Sequence, residues 1–413
     1  MKIASDAAAP RRGIAVIALV ATAHFSSHVM QLAVPPLFPI LHATFGASFI
    51  ELGVIVTLFY GASGLGQATA GFLVDRMGAV RVLVAGLSLL SLATLAMAFV
   101  PDYRTMLPFA VAAGLGNSVF HPADLSILSH RVGERMLGRA FAAHGLMGSL
   151  GYATAPVLVG TITAFFGWRA ALGSIGIAGL CVALLLQASR AKLAYERIPA
   201  PQSTSEPRAG GARQAGSYLA VVTAPVVLLA FGYFVITAYG GTGIQTFSVA
   251  ALGAGYDFSL TQATMTLTSY LVAGACGIVL GGFLADRTTR HHLVAMSGLG
   301  IAAAMMLVVA VVPSWPEAVF AAMITAGLMN GMTGPSRDVI VRRAASGAGT
   351  GSVFGFVYSG GDLGSATAPL LFGALGDHHA WHGVFLVCAL AYAAAVPTVL
   401  QVDRSNASRP RPA

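Results

Sequence analysis

The chain has 413 residues, of which 56% are hydrophobic and 9% are charged, and its mean hydropathy is +0.78. An ordinary soluble domain carries about a quarter charged residues, so this composition excludes a water-soluble protein. The net charge of +8 does not indicate a nucleic-acid partner, because the basic residues are concentrated in particular loops between hydrophobic runs and at the termini.

The hydrophobic residues fall into about twelve runs of about 20 or more residues, long enough for helices that cross the ~30 Å core of a bilayer. The sequence therefore predicts an all-α membrane protein with twelve transmembrane helices. Arg11 and Arg12 precede the first run, as in a signal peptide, but the run continues to about Leu41. That length is too great for a signal peptide, so we expect the run to remain as helix one.

Ionisable side chains inside these runs are few. Placing a charge at the bilayer centre costs roughly 2.5–3.5 kcal/mol, so such residues usually face a cavity and serve function. In the first half the candidates are His24, His28 and Gln31 on helix one, His121 and Asp124 on helix four, and His144 on helix five. Histidine with carboxylate exchanges protons near physiological pH, which favours Asp124 as a proton-coupling residue.

Two alternatives for these side chains remain open. Asp124 can instead pair with Arg76, Arg81 or Arg139 near the end of the helices. His24 and His28 can be hydrogen-bonded packing residues without a role in function.

A charged motif follows the second run and returns later in the chain. The segments GFLVDRMGAVRVL (71–83) and GFLADRTTRHHLV (282–294) align at an offset of 211 residues. The glycine permits close helix approach, the aspartate can face a helix N-terminus, and the arginines supply cations. This predicts a charged clasp that opens and closes one end of the bundle, formed by Gly71, Asp75, Arg76, Gly78, Arg81, Gly282, Asp286 and Arg287.

A second internal match has an offset of 213 residues. It aligns SLGYATAPVLVG (149–160) with DLGSATAPLLFG (362–373), and Trp168 with Trp381. The chain is therefore a parallel repeat of six plus six helices. The polar residues are not repeated, since Gly334, Arg337 and Val357 stand where the first half has His121, Asp124 and His144. We expect proton handling mainly in the first half.

The basic residues predict the orientation. Only Arg104 and Arg169 lie in one set of loops, whereas the other 21 of the 23 lie at the termini, in the alternate loops and in a central segment. The positive-inside rule places that second set, and both termini, in the cytoplasm of a multi-pass inner-membrane protein. The domains are residues 1–189 and 217–413, joined by a cytoplasmic linker at 190–216 that is rich in Pro, Ser and Gly.

The second half has fewer candidate site residues. Asp362 lies on helix eleven, and Arg337 beside Asp338 lies on helix ten, either as a structural pair or as a group that holds an anionic substrate. Further candidates for a cavity wall are Tyr60, Tyr239, Gln245, Tyr270 and Tyr358.

The loop motif resembles the signature of the major facilitator superfamily, G-x-L-a-D-r-x-G-r-k, and departs from it at Ala79 and Val80. The resemblance implies two pseudo-symmetric six-helix bundles and transport by alternating access. Gly151, Pro156 and Gly160 on helix five resemble the antiporter motif of that family, although a kinked packing site explains them equally well. Ala110 stands where some members have an intramembrane arginine.

Phe120-His121-Pro122, with Ala23-His24-Phe25 and Gln31, is similar to the fosmidomycin-resistance efflux group of the superfamily. The similarity covers helices one and four. It departs at His28, where that group tends to have Asp, and at Ala123, where a Glu is usual.

These features predict a secondary active transporter that exports a small organic solute by proton-coupled alternating access. We expect no cofactor beyond the proton gradient as energy source, and a monomer whose partners are the solute and the lipid bilayer. The alternative is uptake or export of a transition metal ion or its chelate through the His and Asp residues, because imidazole binds such metals. A membrane enzyme is not favoured, because G-x-S-x-G, H-E-x-x-H and P-loop motifs do not occur.

Overall fold

The computed structural model describes residues 3–195, 223–312, 315–344 and 350–407, and every regular element in these ranges is helical. The helices are α1 (Ile3–Gln31), α2 (Phe38–Phe45), α3 (Phe49–Met77), α4 (Ala79–Met97), α5 (Tyr103–Asn117), α6 (Phe120–Arg131), α7 (Glu134–Phe166), α8 (Trp168–Ala188), α9 (Arg190–Leu193), α10 (Pro225–Tyr256), α11 (Leu260–Arg287), α12 (His291–Val311), α13 (Pro316–Ala344), α14 (Thr350–Asp377) and α15 (Trp381–Ala407).

Within the described ranges, nine helical segments are long and apolar enough to cross a membrane. The other predicted spans are the interrupted pair α5–α6, and α13 and α14, which carry charged side chains. Large apolar residues such as Phe165, Phe166 and Leu184 are exposed on the outside of the bundle, where lipid is their expected solvent. The chain is an all-helical, multi-pass membrane protein.

The internal repeat is visible in the residues at which corresponding helices of the two halves begin. Ser48 and Glu51 form a capping box at the start of α3, and Ser259 with Gln262 forms the same box at the start of α11. These boxes are separated by the same 211 residues as the two loop motifs. Helices α8 and α15 begin at the two repeated tryptophans, Trp168 and Trp381.

The two halves pack together through α3 against α14 and through α7 against α11. Glycines allow the closest approaches: a Cβ at Gly53 would lie 2.7 Å from the Pro369 carbonyl oxygen, and one at Gly160 would lie 2.8 Å from Thr264 Oγ1. These contacts lie at the end of the bundle away from Arg76, Arg81, Arg131 and Arg287. We call that the opposite end, and the arginine-bearing end the basic end.

Contacts are sparser at the basic end among the described residues. A Cβ at Gly71 on α3, at Gly145 on α7 or at Gly282 on α11 would meet no atom within 4 Å. The described contacts between the halves are therefore closest at the opposite end.

The predicted linker begins as ordered structure. Helix α9 and Tyr195 pack on the first half, where Tyr195 stacks on His130 at 4.1 Å between ring centroids. Arg131 donates to the Lys192 carbonyl at 2.6 Å. The remainder of the predicted linker, residues 196–216, lies outside the described residues.

One carboxylate joins the halves at the opposite end. Asp377, the last residue of α14, accepts hydrogen bonds from the amides of Phe49 at 2.5 Å and Ile50 at 3.1 Å, the first residues of α3. These amides are unsatisfied donors of a helix N-terminus, where the helix dipole also favours negative charge. Asp377 therefore joins the two halves at the opposite end, and we call this contact the Asp377 latch.

Replacing Asp377 with Asn is expected to loosen this latch. Hydrogen bonds to a charged group are worth about 1.5–3 kcal/mol, and an amide oxygen retains only part of that, so we expect about a tenfold shift toward molecules open at the opposite end. Pulsed electron resonance distances between nitroxide labels at Phe99 and Val311, exposed residues of the two halves, will report the opening.

Asp102→Asn is the matched control. Asp102 accepts from the Thr105 amide at 2.9 Å and caps α5 at the same end of the molecule, but it makes this bond within one half. An Asp377→Asn distance distribution that matches both wild type and Asp102→Asn would contradict the latch.

Candidate functional site

A cavity of about 320 Å³ lies between the two halves. Its walls are mostly polar, which is unusual for the interior of so hydrophobic a protein. The lining residues are His24, Ser27, His28, Gln31, Tyr60, Ser63, Gln67, Asn117, Phe120, His121, Tyr152, Ala238, Gly241, Thr242, Gln245, Tyr358, Asp362 and Ser365.

A helix break positions the first-half residues of the site. Helix α5 ends at Asn117 and α6 begins at Phe120. Pro122 has no amide hydrogen to donate to the Ser118 carbonyl, and its ring would collide with that carbonyl in a continuous helix. The break leaves His121 exposed on the cavity wall, while Asp124, one turn later, is completely buried.

Asp124 contacts two imidazole rings through one carboxylate oxygen. Its Oδ2 atom lies 3.0 Å from His144 Nε2 on α7 and 3.3 Å from His24 Nδ1 on α1. The rings of His24 and His144 are stacked with their centroids 3.6 Å apart. Three separate segments of the chain therefore meet at one carboxylate oxygen.

Two further histidines extend this group toward the cavity. The His28 ring lies 4.5 Å from that of His24, and the His121 ring lies 5.4 Å from it. We call His24, His28, His121, His144 and Asp124 the histidine cluster. His24, His28 and His121 line the cavity, whereas His144 and Asp124 do not, because they lie behind His24.

The cluster is not a fully bonded packing group. Asp124 Oδ1 and His28 Nδ1 are buried and have no hydrogen-bond partner in the described part of the chain. Leaving a polar atom unpaired costs about 1–3 kcal/mol, so such atoms in a buried site commonly mark function. The alternative that Asp124 pairs with Arg76, Arg81 or Arg139 is wrong, since its charged partners are histidines and those arginines are exposed.

The cluster also contains a set of possible metal ligands. One nitrogen from each of His24, His121 and His144 lies within 4.8 Å of the other two. The sequence showed no such set at helical spacing, because its members come from three different helices. Imidazoles in this number suit zinc, copper or nickel.

Arg337 was predicted to belong to the cavity, and this is wrong. Its Nε donates to Asp338 at 2.9 Å, and its guanidinium lies 4.8 Å from the centroid of Phe234. It contacts a separate small apolar pocket with Tyr233 and Val402. The pairing with Asp338 agrees with the structural alternative and removes Arg337 as a group for an anionic substrate.

Some of the residues predicted for the cavity wall line the cavity, and others do not. Tyr60, Gln245, Tyr358 and Asp362 line the cavity as predicted. Tyr270 and Tyr239 do not, because the Tyr270 hydroxyl lies 3.0 Å from that of Tyr392 and the Tyr239 ring packs on Phe372.

Apart from Gln31 and Gln245, the neutral polar residues of the wall were not predicted from the sequence. Asn117 donates to Ser63 at 3.0 Å, and Thr242 donates to Ser365 at 2.9 Å, one pair in each half. Such side chains are common in membrane helices, and only their convergence on one cavity distinguishes them.

The loop motif lies at the basic end. Asp75, Arg76, Arg81, Asp286 and Arg287 are exposed there, and Gly78 ends α3 with a φ of 89° that favours glycine. The arrangement of these residues in a closed clasp stays a prediction.

The three residues that resemble the antiporter motif lie on α7 and have a packing role. A Cβ at Gly151 would lie 2.5 Å from the Phe25 carbonyl oxygen, so this glycine brings α7 against α1. Gly160 brings α7 against α11, as described above, and Pro156 lies inside α7 between them.

Comparisons with known proteins extend the match beyond these motifs. The Major Facilitator Superfamily profile matches residues 20–259 and 234–413. The fosmidomycin resistance protein of Escherichia coli (strain K12) is 23% identical over 400 residues, 96% of this chain and 95% of that protein. The similarity predicted for two helices thus covers nearly the whole chain.

Two further proteins bear on the assignment. The cis,cis-muconate transport protein of Acinetobacter baylyi is 21% identical over 364 residues, 85% of each chain. A crystal structure of a bacterial homologue of the human lysosomal transporter Spinster, in an inward-facing and occupied conformation, shares the fold with a TM-score of 0.73 at 15% identity, over 95% of each chain. The chain belongs to the Major Facilitator Superfamily and is a membrane transporter of small solutes.

Proposed function

We propose that the chain exports a small organic solute in exchange for protons, and that the histidine cluster is the proton site. The observation that carries this proposal is the buried Asp124 carboxylate, whose Oδ2 contacts His24 at 3.3 Å and His144 at 3.0 Å. A proton shared among these groups changes the charge of the cluster without requiring any ligand to enter it.

The cluster has a path to water. His121 is exposed on the cavity wall, His28 also lines the cavity, and both rings lie near His24, which contacts Asp124. Histidine is the side chain whose ordinary pKa lies nearest to physiological pH, so a relay from His121 or His28 through His24 to Asp124 can load and release a proton. The same cavity reaches the solute and the proton site.

Alternating access supplies the coupling. The positive-inside rule assigns the basic end to the cytoplasm of the inner membrane, with both termini on that side. We infer that the described conformation, whose halves meet at the opposite end, is the one open to the cytoplasm, and that opening of the Asp377 latch exposes the cavity to the other side. Export is favoured because a relative that matches nearly the full chain is named for fosmidomycin resistance.

Replacing Asp124 with Asn tests the proton site. In proteoliposomes with a pH-sensitive dye inside, a panel of drugs and metabolites will identify a solute whose movement is accompanied by protons. Asp124→Asn is expected to lose most transport driven by a pH gradient, because the amide no longer binds a proton, while it retains exchange of labelled solute for unlabelled solute.

Asp257→Asn is the matched control, since Asp257 is exposed beyond the end of α10 at a φ of 56°, which asparagine tolerates. Full pH-driven transport by Asp124→Asn would show that Asp124 is not the coupling residue. Solute movement without proton movement in wild type would remove proton coupling altogether.

The substitution Gly148→Ala tests whether proton-coupled transport depends on the positions of the His24 and His28 rings. A Cβ at Gly148 would lie 2.9 Å from His24 Nε2 and 3.2 Å from His28 Nε2, so the rings must shift. Such overpacking costs roughly 1–3 kcal/mol. We expect a lower melting temperature in detergent and a large loss of proton-coupled transport.

Gly145→Ala, one turn earlier on α7, is its control, because a Cβ there meets nothing within 4 Å. It is expected to retain wild-type stability and transport. Equal transport by the two alanine variants would mean that the positions of the His24 and His28 rings do not control coupling.

A second candidate function is transport of a transition metal ion, favoured by the nitrogens of His24, His121 and His144 within 4.8 Å of one another. The proton proposal predicts that radioactive Zn²⁺ is not carried into proteoliposomes. Zn²⁺ movement in wild type that is lost in His121→Ala, with proton movement absent, would favour the metal function instead.

A further inference from the structure

The second half contributes one carboxylate to the cavity, Asp362 on α14. It lines the wall, is half-buried, and makes no hydrogen bond or ion pair among the described residues. A carboxylate at membrane depth without a partner is costly, so it either takes up a proton or pairs with a cation that enters the cavity. We propose that Asp362 is the substrate-binding counter-ion and that the transported solute is an organic cation such as an amine or quaternary ammonium compound.

This inference deepens the proposed transport function, but it does not depend on which residue carries the proton. The histidine cluster lies entirely on helices of the first half, whereas Asp362 lies on the second. Asp124 is closed in by His24 and His144 and is not a lining residue, whereas Asp362 is open to the cavity. The two carboxylates therefore lie in different surroundings, and the proposal assigns the proton to Asp124 and the solute to Asp362.

The charges on the wall favour a cation over an anion. Lysine and arginine do not occur among the described lining residues. The nearby arginine of the second half, Arg337, is already paired with Asp338 and lies outside the cavity. An anionic solute would meet Asp362 without a permanently charged partner.

The surroundings of Asp362 suit an alkylated cation. A Cβ at Gly64 on α3 would lie 3.3 Å from Asp362 Cβ, so α3 packs closely against the base of this side chain and fixes its position at the cavity wall. Four aromatic side chains line the same cavity: Tyr60, Phe120, Tyr152 and Tyr358. Aromatic faces attract cations, by about 0.5–2 kcal/mol each, and with a carboxylate they form the usual recognition surface for quaternary ammonium groups.

Binding of defined probes to the purified, detergent-solubilised protein tests the proposal. The probes are radiolabelled benzyltrimethylammonium, tetraethylammonium and choline, with 3,3-dimethylbutan-1-ol as the uncharged isostere of choline and cis,cis-muconate as an anion. We expect saturable binding of at least one cation, with affinity reduced about tenfold or more in Asp362→Asn and largely retained in Asp362→Glu. The uncharged isostere is expected to compete poorly.

Asp257→Asn controls for the loss of a carboxylate elsewhere, and Asp124→Asn separates this proposal from the proton site. Cation binding retained in Asp124→Asn and lost in Asp362→Asn supports the assignment even if proton coupling fails. Equal cation affinity in wild type and Asp362→Asn, no saturable binding of any of the three cations, or binding of cis,cis-muconate in their place would overturn it.

Discussion

The contact of Asp124 with two imidazole rings is the interaction on which the account of this transporter depends. A fully buried carboxylate inside a membrane requires compensation, and here His24 and His144 supply it from two other helices. The contact ties α1, α6 and α7 together, so any change in the protonation of the cluster acts on the packing of the first half. On the proposal that the cluster carries the proton, this contact links proton binding to the conformation of the bundle.

The scaffold features are repeated in the two halves, whereas the residues of the site are not. Each half has a capping box, a loop motif and a helix that begins at a tryptophan, because these features build the scaffold. The chemistry is divided: the histidine cluster belongs to the first half, and Asp362 belongs to the second. A cation beside Asp362 and an added proton on the cluster are like charges in one low-dielectric space, so the two proposals together favour exchange over co-transport.

Much of the scaffold was predictable from the sequence, because hydropathy, basic loops and the repeat act over many residues. The candidates on helices one, four and five were also found, since an ionisable side chain inside an apolar run is conspicuous. Their meeting was not predictable: His24 and His144 lie far apart in sequence, and the break at Pro122 is needed to turn Asp124 inward.

Arg337 was misplaced for a similar reason, because its pairing with Asp338 and its stacking on Phe234 depend on the direction of the side chain. The Asp377 latch was missed because a capping residue supplied by another helix leaves no local signal in the sequence.

The most direct test of the central claim is proton release from the purified protein when a transported solute binds, measured in weakly buffered detergent solution. If protons and solute are exchanged through the histidine cluster, solute addition releases protons from wild type, and Asp124→Asn binds the solute without that release. Proton release of the same size from both proteins, or solute binding by wild type without any release, would contradict the account.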